Sequence, residues 1–107
     1  MEQRVRVGVV GVGAMSQQLH IPALQRTPDV EVAAIADANA ERVRECAARF
    51  GIARAYTDYR EMLAAGGLDA VLVITPNAYH APVTIAAIEA GCHVLVEKPM
   101  ALNGDEA

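Results

Sequence analysis

Strand-length runs rich in β-branched residues alternate along this chain with helix-length segments that stop at glycine, and this alternation limits the possible folds more than any other feature. Arg4 to Val10 (RVRVGVV) ends at Gly11, and Val30 to Ala36 (VEVAAIA) ends at Asp37. A short Ala53 to Tyr56 follows Gly51, Asp69 to Ile74 (DAVLVI) ends at Thr75-Pro76, and His93 to Glu97 (HVLVE) ends at Lys98-Pro99. Between them, Ala14 to Arg26, Asn39 to Phe50, Asp58 to Ala65 and Ala81 to Ala90 space their apolar residues three or four apart, as an amphipathic helix does. Gly51, Gly66-Gly67 and Gly91 fall just past three of these segments, where a left-handed cap ends a helix without a Cβ clash. Pro22 falls inside the first, which predicts a break near His20-Ile21 and a short restart. Pro82 is placed in the first turn of the last helix, where its missing N–H costs nothing.

Apolar strands alternating with helices specify a parallel sheet covered on both faces, and right-handed crossovers leave few ways to connect it. The expectation is an α/β fold, a doubly wound parallel (Rossmann) sheet of five strands in the order 3-2-1-4-5, forming one dinucleotide-binding domain over residues 1–107. With 107 residues and 53% hydrophobic side chains there is core enough for one domain. The net charge of −4, without a basic run, argues against a nucleic-acid or anionic-membrane partner. No signal-peptide or transmembrane pattern is present. Cys46 and Cys92 lack C-x-x-C spacing, and His20, His80 and His93 lack metal-ligand spacing, so the reading is a cytoplasmic chain with reduced thiols and no metal site.

In an open parallel sheet, ligands bind beyond the carboxyl ends of the strands, where the strand order reverses. The first strand runs into Gly11-Val12-Gly13-Ala14-Met15-Ser16, a G-x-G-x-x-S pattern. Its first glycine suits a tight turn and its second leaves bare backbone for a pyrophosphate, with the free N–H groups that open the next helix facing the anion. Ser16 stands where Gly or Ala is usual, and a structural turn uses a glycine pair as readily. Asp37 ends the second strand 24 residues after Gly13, near the spacing at which an acidic residue accepts the adenosine ribose hydroxyls. A 2′-phosphate there meets a carboxylate, which favours NAD over NADP. Capping of the helix that starts near Asn39 is the alternative role for Asp37, and Thr57 or Asp58 is expected to cap the following helix.

After the fourth and fifth strands come Thr75-Pro76-Asn77-Ala78-Tyr79-His80 and Glu97-Lys98-Pro99. Together with GVGAMSQQLHIPAL, AIADANAER and YTDYREML, these segments resemble the Gfo/Idh/MocA oxidoreductases along essentially the whole chain. The resemblance implies that the backbone of Gly11, Val12, Gly13, Ala14 and Met15 holds the pyrophosphate and Asp37 the adenosine ribose. It further implies that Thr75, Pro76 and Asn77 line the passage to the nicotinamide with His80 at its lip. Glu97 would then touch the nicotinamide ribose, and Lys98 would be the catalytic residue, polarising or relaying a proton at the substrate hydroxyl. A cis Lys98-Pro99 bond is part of the same expectation. Read without the resemblance, His80 is a helix-start residue and Glu97-Lys98 a solvated charge pair.

Members of that family carry a second, mostly antiparallel α/β domain that completes the substrate pocket, and these 107 residues contain no such pattern. The expectation is therefore the truncated NAD-binding half of a dehydrogenase for a sugar, inositol or related polyol hydroxyl, binding cofactor without turnover. The alternative is an interaction module that keeps the fold but not the chemistry, docking or self-associating through the exposed edge of the fifth strand.

Overall fold

The computed structural model describes residues 4–13, 16–74 and 77–96, with the backbone alone at 16, 18, 77–80 and 96. Five strands form one parallel sheet: β1 (Val5–Val10), β2 (Val30–Ala36), β3 (Arg54–Tyr56), β4 (Ala70–Val73) and β5 (His93–Val96). Their order is β3-β2-β1-β4-β5, as the alternation requires. The helices are α1 (Ile21–Arg26), α2 (Ala40–Phe50), α3 (Tyr59–Ala65) and α4 (Asn77–Glu89).

Two apolar layers hold the sheet. On one face Val7, Val9, Val32, Ile35, Ala70 and Leu72 pack against Ile21 of α1 and Val43 and Cys46 of α2. On the other, Val10, Ala34, Ala36, Val71 and Val73 meet Met62 of α3 and Val83 and Ala87 of α4. Period-two alternation explains β1 and β4, whose successive side chains serve opposite layers. In β2 the alternation skips at Ala33, because the β1–β2 register shifts between Val7 and Gly8 so that Val7 pairs with Val32 and Gly8 with Ala34. That bulge places Val32 and Ile35 in one layer and Ala34 and Ala36 in the other.

The break at Pro22 takes a definite form. Ser16–His20 makes a single wide π-helical turn, and the α-helix restarts at Ile21 with Pro22 in its first turn. Gly51, Gly66, Gly67 and Gly91 all have positive φ, as their places beyond α2, α3 and α4 demand. Pro82 corrects the reading of the last helix: α4 begins at Asn77, one turn earlier than the Ala81 start, so Pro82 lies inside the helix. Its ring leaves the Ala78 carbonyl without the usual i→i−4 donor, and the polar run before it reads as a loop only because periodicity is weak there.

Candidate functional site

The carboxyl ends of β1, β2 and β4 lie side by side, since Val10 pairs with Ala36 on one flank and with Val73 on the other. Every strand-end residue singled out above follows this edge or that of β5, which pairs with β4. The glycine turn leaves β1 at Gly11, whose N–H donates to the Ala36 carbonyl at 2.8 Å. Gly11 has φ of +100°, a conformation that a Cβ disfavours and that turns the chain sharply out of the sheet.

The next residue decides the geometry. Val12 is buried, and its N–H donates to Oδ2 of Asp37 at 2.9 Å. Oδ1 of the same carboxylate accepts the Asn39 N–H at 2.9 Å. Asp37 is itself anchored, because its N–H donates to the Tyr56 carbonyl of β3 at 3.0 Å. Its side chain is only 11% exposed and sits between the turn and the start of α2. The cap of α2 is Asn39, whose side chain accepts the Arg42 N–H. Asp37 thus supports the residue that caps the helix while joining that helix to the glycine turn.

Two groups that sequence reasoning missed complete this frame. Gln17 donates from Nε2 to the Val12 carbonyl at 2.8 Å, and its own N–H donates to the Gly13 carbonyl at 3.1 Å, so one residue of the π turn braces both sides of the loop. Arg42, in the first turn of α2, lies with Nη1 3.5 Å from Oδ2 of Asp37. Neither belongs to a glycine or strand-end motif; the only sequence signal for Arg42 is a cation five residues beyond an acidic strand end.

Beside the turn opens a cleft of about 540 Å³ lined by Gly11, Asp37, Ala38, Thr57 and Arg60 among others, floored by Val10 and Val83. Asp58 caps α3 by accepting the Arg60 N–H, and it also holds the Arg60 guanidinium through both carboxylate oxygens at 3.1 Å. That pairing keeps the Asp58 carboxyl below the usual carboxylate range.

These residues fit a dinucleotide. Apart from its chain neighbours, no described atom lies within 4 Å of where a Cβ on Gly13 would stand, which is compatible with a pyrophosphate approaching the second glycine. Gly11 of the turn and Asp37 both line the cleft, so it joins the first glycine to the carboxylate. Among the described residues no group of His, Cys, Asp and Glu is arranged to hold a metal ion, and no helix is long and apolar enough to cross a membrane.

The structure brings Gly11, Val12, Gly13 and Asp37 together. Asn77 and His80 lie in the first turn of α4, beyond the end of β4. Ala14, Met15, Thr75, Pro76, Glu97 and Lys98, with the expected cis Lys98-Pro99 bond, lie outside the described residues.

A family model described as "oxidoreductase family, NAD-binding Rossmann fold" matches residues 5–107. The chain belongs to the Gfo/Idh/MocA family. Within that family it is 43% identical over 102 residues to an uncharacterized oxidoreductase of Rhizobium meliloti, covering 95% of this chain and 30% of the relative. It is 37% identical over 108 residues to an inositol 2-dehydrogenase of Corynebacterium glutamicum, covering all of this chain and 32% of that one. Among solved structures, the WlbA dehydrogenase of Bordetella pertussis with NADH and UDP-GlcNAcA superposes at a TM-score of 0.83 and 37% identity, over 92% of this chain and 30% of that one. The KijD10 3-ketoreductase of Actinomadura kijaniata, with TDP-benzene and NADP, gives 0.83 and 36% over 92% of this chain and 31% of its own. This Gfo/Idh/MocA chain therefore spans about a third of the length of the curated relatives it matches, and the part it spans is the family's NAD-binding Rossmann domain.

Proposed function

We propose that this chain is the cofactor-holding part of a nicotinamide-dependent dehydrogenase that oxidises a hydroxyl of a sugar, inositol or related polyol. The observation that carries the reading is the Asp37 carboxylate, held on the Val12 N–H beside an open cleft beyond the carboxyl ends of β1 and β2. Bound there, the nicotinamide cofactor supplies the hydride acceptor. The protein's share is placement: the Gly11 and Val12 N–H groups are spent on Ala36 and Asp37, so the turn takes the pyrophosphate on the backbone N–H groups that follow, from Gly13 to Met15, and Asp37 accepts the adenosine ribose hydroxyls. Thr75, Pro76, Asn77 and His80 line the way to the nicotinamide, Glu97 takes its ribose, and Lys98 handles the proton of the substrate hydroxyl. The relatives' longer chains support the view that the substrate pocket draws on residues outside this domain. Orienting substrate against nicotinamide is worth several orders of magnitude in rate.

Calorimetric titration with NAD, ADP-ribose and AMP tests the reading. Binding of NAD and ADP-ribose tighter than AMP is the expected result, because the pyrophosphate contributes at the turn. Equal affinity for all three, or none, would overturn it.

One observation favours a second reading, in which the domain also serves as a docking module. Strand β5 pairs only with β4 among the described strands, and Leu95 on it is 52% exposed. An apolar strand edge invites pairing with another chain. Sedimentation velocity over a range of concentrations distinguishes self-association through this edge from a monomer.

A further inference from the structure

Resting on the reading of the turn after β1 as a pyrophosphate site, we infer that Gln17 is a positioning residue for that site. By holding the Val12 carbonyl, it aims the Gly13 N–H, the first unspent donor of the turn, at the anion.

Val12 is held on both of its peptide units. Its N–H donates to Oδ2 of Asp37 at 2.9 Å, and its carbonyl accepts Nε2 of Gln17 at 2.8 Å. Its side chain is fully buried, so the residue has no freedom to turn between these two holds. None of the described peptides is cis, and across a trans peptide the carbonyl of one residue and the N–H of the next point in opposite directions in one rigid plane. The bond from Gln17 therefore fixes the direction of the Gly13 N–H, which points away from the Gln17 amide. That N–H donates to no described residue, whereas those of Gly11 and Val12 are spent on Ala36 and Asp37.

Gln17 is itself held from the far side. Its Oε1 lies 3.4 Å from Nη1 of Arg49, in the last turn of α2, where a cation suits the helix dipole. A primary amide accepts at one end and donates at the other, so the cation at Oε1 settles which end faces Val12. The backbone adds a second tie, the Gln17 N–H donating to the Gly13 carbonyl at 3.1 Å. Gly13 thus has its carbonyl engaged and its N–H aimed, and apart from its chain neighbours no described atom lies within 4 Å of where its Cβ would stand. A donor fixed before the anion arrives binds it more tightly than one the anion must order. A side chain that does not touch the cofactor in this way contributes to its affinity.

The test is binding of NAD, ADP-ribose and adenosine, followed by amide-resolved NMR, to the parent chain, Gln17→Met, Gln17→Glu and Arg49→Met, with thermal melts to establish that each is folded. Methionine keeps the length without a donor, and glutamate keeps the acceptor for Arg49 while losing the donor for Val12. Both Gln17 variants are expected to weaken NAD and ADP-ribose about tenfold and to leave adenosine, which carries no phosphate, unchanged. Arg49→Met keeps the Val12 bond and is expected to weaken them only about twofold. In the parent chain ADP-ribose is expected to move the Gly13 amide proton downfield, and Gln17→Met to remove most of that shift. Equal losses for adenosine and ADP-ribose would make Gln17 a structural brace alone and overturn the inference, as would unchanged ADP-ribose affinity in both Gln17 variants. If neither Gln17 variant folds, Arg49→Met decides: a reduced Gly13 shift supports the inference, and an unreduced or absent one overturns it. A parent chain that binds ADP-ribose no more tightly than adenosine overturns the pyrophosphate reading itself.

Discussion

The carboxylate of Asp37 accepts the backbone N–H of Val12 at 2.9 Å, across 25 residues of sequence, and so binds the end of β2 to the glycine turn that leaves β1. The same carboxylate holds the residue that caps α2. One side chain therefore fixes the relative positions of the proposed pyrophosphate turn and the proposed ribose site.

Asp37→Ala is expected to cost both stability and affinity. Leaving the buried Val12 N–H without a partner destabilises by about 1–3 kcal/mol, and loss of a charged acceptor for the ribose weakens NAD by about tenfold. Equilibrium unfolding in urea and calorimetric titration read the two effects separately.

Two glycines of the first segment are expected to respond oppositely to alanine. A Cβ on Gly8 would stand 2.8 Å from Leu68 Cδ1 and 3.0 Å from Met62 Cε, so Gly8→Ala is expected to destabilise by about 1 kcal/mol, limited by the give of those flexible ends. A Cβ on Gly13 meets no described atom within 4 Å, so Gly13→Ala is expected to melt like the parent chain and yet bind NAD more weakly. A Gly13→Ala variant with unaltered NAD affinity would remove the second glycine from the site.

These contrasts mark what was legible in the sequence. The β-branched runs and glycine stops located the strands and the helix ends to within a residue or two, and Asp58 was one of two caps offered for α3; the cap of α2 is Asn39, which the sequence reading placed inside the helix while offering Asp37 as its cap. Asp37 was legible by spacing. The extra residue at Ala33 was not, since a bulge is set by how β1 and β2 pair rather than by either strand alone. The early start of α4 at Asn77 was hidden by its weak periodicity and by Pro82. Gln17 and Arg42 act through contacts that the π turn and the β2–α2 connection create, and no local pattern announces them.

The start of α3 is expected to loosen in acid. Arg60 depresses the Asp58 carboxyl mainly through their side-chain hydrogen bond, so the folded state holds the charged form more firmly than the unfolded chain does. The resulting stabilisation is present above the ordinary carboxylate pKa and is lost as pH falls through the depressed one. Melting temperatures of the parent chain and Asp58→Asn should differ at about pH 7 and converge at about pH 2. A constant difference would contradict the assignment.

Cys46 is expected to resist alkylation. Burial between α2 and the sheet pushes its thiol from the ordinary 9.0 to about 11, with Arg49 opposing the shift only in part and Asp37 adding to it. The raised value means that the folded state favours the protonated thiol and loses stability as pH rises from the unfolded value toward the folded one. Iodoacetamide at about pH 8 should modify Cys46 at the rate of unfolding, and readily in denaturant. Fast modification in the native protein would show that the layer between α2 and the sheet is open.

Whether the turn after β1 and the end of β2 form one dinucleotide site is tested most directly by amide-resolved NMR during titration with NAD. Saturable shifts are expected at Gly11, Val12, Gly13, Asp37 and Asn39, with Asp37→Ala abolishing most of them. Millimolar NAD that leaves these amides unmoved, or shifts confined to β5 and α4, would contradict a single site there.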